Sequence, residues 1–189
     1  MHVFTTLDEV ALRRPQAITV GAFDGVHRGH HYLIQRTAEG AARLDAEVTV
    51  VTFWPPPVAV VRPGTPIQCL TLPAEKNAVL AALGSVGQVI VLPFTPAMAL
   101  WPPEQFMATL AEHMQIAALV EGDDFSLGHN RAGTMAWLTD YGQAHGFLVE
   151  RVARQISWAG PIASAAWSCA ATHAGAIWAT QRRICNLIR

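Results

Sequence analysis

The sequence predicts an α/β domain: a parallel sheet of about five strands with helices on both faces. Two observations lead there. Short β-rich runs alternate with segments of helical spacing, the order that gives strand–helix–strand units. Several runs are apolar at nearly every position rather than every second one, as expected of strands covered on both sides. The runs occupy residues 17–21, 47–53, 88–92, 117–120 and 147–149. After the first, a helix begins near His30, and Leu33, Thr37, Ala41 and Leu44 share one of its faces. A second helix carries Val79, Leu80 and Leu83, with Thr71 as its N-cap and Pro73 in its first turn. Phe106, Leu110 and Met114 mark a third at i, i+4, i+8, and Met135, Leu138 and Gly142 a fourth. In such sheets ligands sit outside the carboxyl ends of the strands, so the loops there are where function is sought.

Composition narrows the function classes. The chain has 189 residues, 51% hydrophobic and 14% charged, which suits one domain with a well-filled core and excludes a disordered chain. Thirteen basic against fourteen acidic residues leave a net charge of −1, so a broad basic face for nucleic acid is not expected. Cys69, Cys169 and Cys185 are too scattered for a disulfide framework or a zinc site, and a cytoplasmic location fits them. The N-terminus lacks a secretory pattern. Two uncharged stretches, between Lys76 and Glu104 and (His173 apart) between Arg154 and Arg182, are broken by Gly and Pro or rich in Ala, Ser and Thr. Neither reads as a membrane span. Oligomeric state is not legible.

The chemistry concentrates in Gly21-Ala22-Phe23-Asp24-Gly25-Val26-His27-Arg28-Gly29-His30, between the first strand and the first helix. Gly21, Gly25 and Gly29 are expected to take unusual dihedrals and admit a ligand close to the backbone. The free amides of the helix end face the same loop and make an anion site, worth ~0.3–1 kcal/mol from the helix dipole. His27 and His30, three apart, stand where a phosphate would rest.

The string G-x-F-D-G-V-H-x-G-H resembles the nucleotide-binding motif of the prokaryotic FAD synthetases. These are the FMN adenylyltransferase modules of bifunctional riboflavin kinase/FAD synthetases, in the H-x-G-H nucleotidylyltransferase superfamily. Further matches follow in order. Residues 52–57, T-F-W-P-P-P, resemble T-F-x-P-H-P; residues 70–76 resemble L-T-x-x-E-K; residues 92–95 and 103–106 match the next loop and helix. Residues 120–133 resemble V-x-G-x-D-F-x-F-G-x-x-R-x-G. The resemblance covers about residues 15–165 and implies a Rossmann-like nucleotidylyltransferase fold. It also implies a reaction: FMN and ATP, with Mg2+, give FAD and pyrophosphate by in-line attack on the α-phosphorus. By resemblance, His27 and His30 are catalytic. Gly21, Ala22, Phe23, Asp24, Gly29 and Ser164 lie on the ATP side. Phe53, Pro55, Pro57, Asp124, Phe125 and Arg131 are candidates for the FMN side or its loops. Metal ligands are not indicated. The alternatives are another H-x-G-H transferase, or a nucleotide- or flavin-binding remnant without turnover.

The sequence departs from the family pattern in three places. Pro56 replaces the histidine of P-H-P. The family's S-S-T-x-x-R segment is reduced to Ser164, with no arginine before Arg182, so weak or absent turnover is expected. The kinase domain is missing. No acidic residue follows Glu150, and the last 32 residues hold three of six tryptophans and two of three cysteines. We therefore expect an adenylyltransferase domain over residues 1–157 and a degenerate tail over 158–189, out of frame from about residue 165.

Overall fold

The computed structural model describes residues 1–10, 12–64 and 66–153, together with the short strands Ile156–Ser157 and Gly160–Pro161. Its centre is a six-stranded parallel sheet. The strands are β1 (His2–Phe4), β2 (Leu12–Val20), β3 (Glu47–Trp54), β4 (Gln88–Pro93), β5 (Met114–Gly122) and, after a small hairpin, β8 (Leu148–Val152). Their order across the sheet is β1-β4-β3-β2-β5-β8. The hairpin pairs β6 (Ser126–Leu127) with β7 (Gly133–Thr134).

The near-continuous apolar runs have the expected cause. Ile18, Val51, Ile90 and Leu119 point to one face, where they pack on Phe106, Met107 and Leu110 of helix α4 (Pro103–His113) and Leu138 of α5 (Met135–His145). Ala17, Val50, Val89 and Ala118 point to the other, against Ile34 and Ala41 of α1 (Arg28–Arg43) and Leu80 of α3 (Pro73–Ala82). The four inner strands β2, β3, β4 and β5 are thus covered on both faces.

The differences from the sequence reading are local. The sheet has a sixth strand at its edge, where His2, Val3 and Phe4 pair in parallel with Gln88, Val89 and Ile90. Three residues, two of them exposed, leave no periodic signal. Met114 continues the apolar stripe of α4, yet it is extended (φ −152°, ψ 150°) and opens β5; chain direction changes while the spacing persists. The N-cap of α3 is Leu72, whose amide is met by the Glu75 carboxylate at 2.8 Å; Thr71 is engaged elsewhere. A further one-turn helix, α2 (Pro57–Val61), follows the proline run. Among the described residues no helix is long and apolar enough to cross a membrane. Apart from Gly160–Pro161, residues 158–189 lie outside the described residues, and with them Ser164, Arg182 and the tail expected to be out of frame.

Helix α5 packs close on β8 because Gly142 has no side chain. A Cβ there would lie 2.8 Å from Val149 Cγ2 and 2.9 Å from the Phe147 carbonyl. Ala would gain roughly 1 kcal/mol of helix propensity, but overpacking against backbone costs about 1–3 kcal/mol. Gly142→Ala is therefore expected to destabilise, lowering the melting temperature by a few degrees; an unchanged or raised value would contradict the packing argument.

Candidate active site

The chain runs β2→β3→β4 toward one edge and then β5→β8 toward the other, so strand order reverses between β2 and β5. A crevice opens at such a reversal, at the carboxyl ends of the strands. Three of the loops singled out in the sequence leave neighbouring strands there: residues 21–27 after β2, 55–57 after β3 and 123–134 after β5.

The first loop is the most constrained. The Gly21 amide still donates to Val51 O at 2.9 Å. A Cβ on Gly21 would lie 3.2 Å from the Phe23 ring, so close approach explains this glycine. Gly29 lies in the first turn of α1 without a positive φ; among the three motif glycines only Gly25 (φ +69°) takes the expected unusual dihedral. The left-handed positions fall instead on Phe23 (φ 48°) and Val26 (φ 35°). A β-branched residue held there is strained, and such strain gathers at functional sites. Deep burial of both side chains, each 1% exposed, holds them in place.

Asp24 ties the loop down. Its carboxylate accepts from the Leu70 and Thr71 amides, both at 3.0 Å, and from Thr71 Oγ1 at 3.2 Å. Thr71 Oγ1 in turn accepts from the Gly25 amide at 3.0 Å. Both carboxylate oxygens are thus engaged in binding the segment before α3 to the loop.

His27 is the N-cap of α1: its Nδ1 accepts from the Gly29 amide at 3.2 Å, which puts the proton of the neutral ring on Nε2. The rings of His27 and His30 stack, centroids 3.7 Å apart and 19° from parallel, with Phe23 4.9 Å from His30. His27 Nε2, His30 Nδ1 and His31 Nε2 are buried without a hydrogen-bond partner among the described residues. Buried polar atoms without partners are rare and ask for an explanation. Burial first, then His27, His31 and Lys76, hold the His30 pKa well below its usual value; burial and His31 lower that of His27. Two stacked imidazoles at a helix N-terminus, with ring nitrogens unpartnered among the described residues, can donate hydrogen bonds to an anion.

Lys76 stands behind them. It is 4% exposed, and its Nζ donates to Ala22 O at 3.0 Å and Thr52 Oγ1 at 2.8 Å. Thr52 Oγ1 also donates to Ala22 O at 3.1 Å. The sequence reading matched Lys76 to the family's L-T-x-x-E-K segment but gave it no role. Burial lowers its pKa, and no carboxylate lies within ion-pair distance among the described residues.

The remaining candidates are placed as follows. Phe53 is 9% exposed, its ring against Phe94 (5.4 Å) and Phe106 (6.1 Å), so its side chain belongs to the core. Pro55 follows a cis peptide bond, and Pro57 begins α2. Phe125 is half-buried against the core and closes a turn to Gly122 O. Arg131 donates to Ser126 Oγ at 2.7 Å and to the Asp124 carbonyl at 3.1 Å, bracing the loop from within. The exposed Asp124 side chain lies on the same loop.

The FAD synthetase family model matches residues 10–166. The bifunctional riboflavin kinase/FMN adenylyltransferase of Escherichia coli is 34% identical over 131 residues, 69% of this chain and 42% of that protein. Its namesake from Pseudomonas fluorescens is 34% identical over 133 residues (70% and 42%), and that from Listeria monocytogenes 29% over 164 (86% and 51%). The chain spans about half the length of these curated relatives or less. Among solved structures, a macrolide-efflux protein from Streptococcus pneumoniae superposes with a TM-score of 0.77 at 23% identity, covering 87% of this chain and 55% of that one, a likeness of fold alone. With a family model spanning five of the six sheet strands, β2 to β8, and each of the loops described above, the chain belongs to the FAD synthetase family.

Proposed function

We propose that the chain transfers the adenylyl group of ATP to FMN, giving FAD and pyrophosphate. An oxygen of the FMN phosphate attacks the α-phosphorus in line. The bond from that phosphorus to the oxygen bridging to the β-phosphate breaks, and the electron pair leaves with pyrophosphate. No covalent bond to the protein forms, so the protein supplies position and charge neutralisation.

The observation that carries this reading is the stacked His27–His30 pair at the start of α1, with nitrogens left unpartnered. We assign His27 and His30 to the phosphates, and Gly21, Ala22, Phe23 and Gly29 to the backbone wall on the ATP side. Asp24 serves by holding that wall, since both its oxygens are in use. The loops bearing Pro55, Pro57, Asp124, Phe125 and Arg131 flank the FMN side. Mg2+ enters with the triphosphate: it binds through few carboxylates when phosphates supply oxygens, and no cluster of three His, Cys, Asp or Glu that could hold a metal occurs among the described residues. Small nucleotides available in the cytoplasm are therefore the partners we assign. The family match does not favour the other H-x-G-H transferases.

Purified chain incubated with FMN, ATP and Mg2+ is expected to form FAD. Because no arginine follows Ser164 until Arg182, kcat/KM is expected at least tenfold below that of a relative with an intact S-S-T-x-x-R segment. Binding of both substrates without any product would overturn the transferase reading. A rate within tenfold of the relative's would overturn the argument from the arginine.

A further inference from the structure

The crevice between β2 and β5 holds a carboxyl group that the reaction above does not use. The two strands are paired as far as Ile18 and Leu119, after which β5 continues only with β8, to Gly122 opposite Val152. Val20, last in β2 and one residue before the nucleotide loop, would face this gap with an unmatched amide. Glu121 fills it. The side chain is 1% exposed; Oε1 accepts from the Val20 amide and lies 3.4 Å from Thr19 Oγ1.

We propose that Glu121 is a positioning residue for nucleotide binding, its carboxyl replacing a strand carbonyl so that Val20, and with it the loop from Gly21 to Asp24, is fixed relative to the loop that follows β5. The inference rests on reading the first loop as the nucleotide cradle. Charged groups on the adjoining elements are committed elsewhere: Arg151 of β8 faces Asp123 at 3.6 Å, and Glu150 is held by Arg36 and Arg43 of α1. Glu104 of α4 faces Tyr141. Burial therefore acts on Glu121 without a cation to offset it, pushing its pKa well above the usual carboxylate range. The raised pKa favours the protonated carboxyl, and its ionisation would add a negative charge beside Val20, one residue before the loop read as the anion site.

Two variants test this. Glu121→Gln keeps an acceptor oxygen and cannot ionise, whereas Glu121→Val removes the acceptor. Amide exchange at Val20 should be slow in the native chain and in Glu121→Gln, and at least tenfold faster in Glu121→Val. The KM for ATP should rise tenfold or more in Glu121→Val, with the KM for FMN within threefold of native. Raising the pH should weaken ATP binding in the native chain more than in Glu121→Gln. Equal protection of Val20 in all three, or an unchanged KM for ATP in a folded Glu121→Val, overturns the proposal. If the native chain binds no ATP, the reading of the cradle fails instead, and Val20 exchange still reports on the clamp.

Discussion

Replacing His30 with Ala is expected to lower kcat for FAD formation by about 10²–10³-fold, with a much smaller change in the KM for ATP. Negative charge accumulates on the phosphate oxygens as the α-phosphorus is attacked, and a positioned donor is worth more to that state than to bound ATP. Loss of one such donor costs ~2.7–4 kcal/mol of barrier. His30 suits the task because its place is fixed, by the helix beneath it, the stacked His27 and the Phe23 ring. It is neutral at pH 7, since burial and the nearby His27, His31 and Lys76 depress its pKa. The depression has a second, measurable consequence. Unfolded chain takes up a proton at a pKa of about 6.5 while the folded ring does not. Stability is thus full above that pH and declines as pH falls toward the folded pKa. His30→Ala should therefore melt with a weaker acid dependence than the native chain. Single-turnover rates at saturating ATP measure the first effect; a rate within threefold of native would remove His30 from the chemistry.

The parts of this site that were legible in the sequence are those where one segment determines its own geometry. The turn after β2 is one: a strand, a glycine-rich turn and a helix start follow in direct succession, although the helix opens at Arg28, with His27 as its N-cap, rather than near His30. The doubly covered sheet is another, since Ala17 and Ile18, or Ala118 and Leu119, are adjacent and both apolar. What depended on distant residues was not legible. Nothing near Lys76 tells that its amine reaches Ala22 and Thr52, because that depends on how α3 lies across β3. Glu121 reads as a lone acid at the end of an apolar run; its role appears only when β2 and β5 part beside it. Thr71 has the right chemistry for an N-cap, but the Asp24 carboxylate and the Gly25 amide claim its hydroxyl first. Gly21 is expected from the sequence to take an unusual dihedral, whereas its φ is ordinary and the Phe23 ring beside it supplies a steric reason for the glycine.

Lys76→Met is expected to weaken ATP binding by roughly ten- to a hundredfold, or about 1.5–3 kcal/mol, while leaving the fold at least as stable. Both halves follow from the same observation. The ammonium is buried, has only neutral oxygens as hydrogen-bond acceptors, and finds no carboxylate within ion-pair distance among the described residues. A cation so placed costs stability, which is the physical content of its lowered pKa. A folded pKa below the unfolded one means that stability declines as the pH falls from the unfolded value toward the folded one. The cost is present at pH 7, below the unfolded value, and Met, similar in length and uncharged, relieves it. On the proposed reading the compensation lies in the ligand: Asp24 offsets part of the burial cost, a triphosphate in the cradle would add further negative charge, and the neutral imidazoles cannot substitute for it. Calorimetric titration separates this from simple loss of loop order. Should Lys76 act through charge, Lys76→Met loses affinity for ATP and retains it for adenosine, and Lys76→Arg recovers part of the ATP binding. Should it act only as a strut for Ala22 and Thr52, ATP and adenosine weaken together and the melting temperature falls. The second pattern would return Lys76 to the scaffold and leave the stacked histidines as the sole phosphate contacts assigned to side chains.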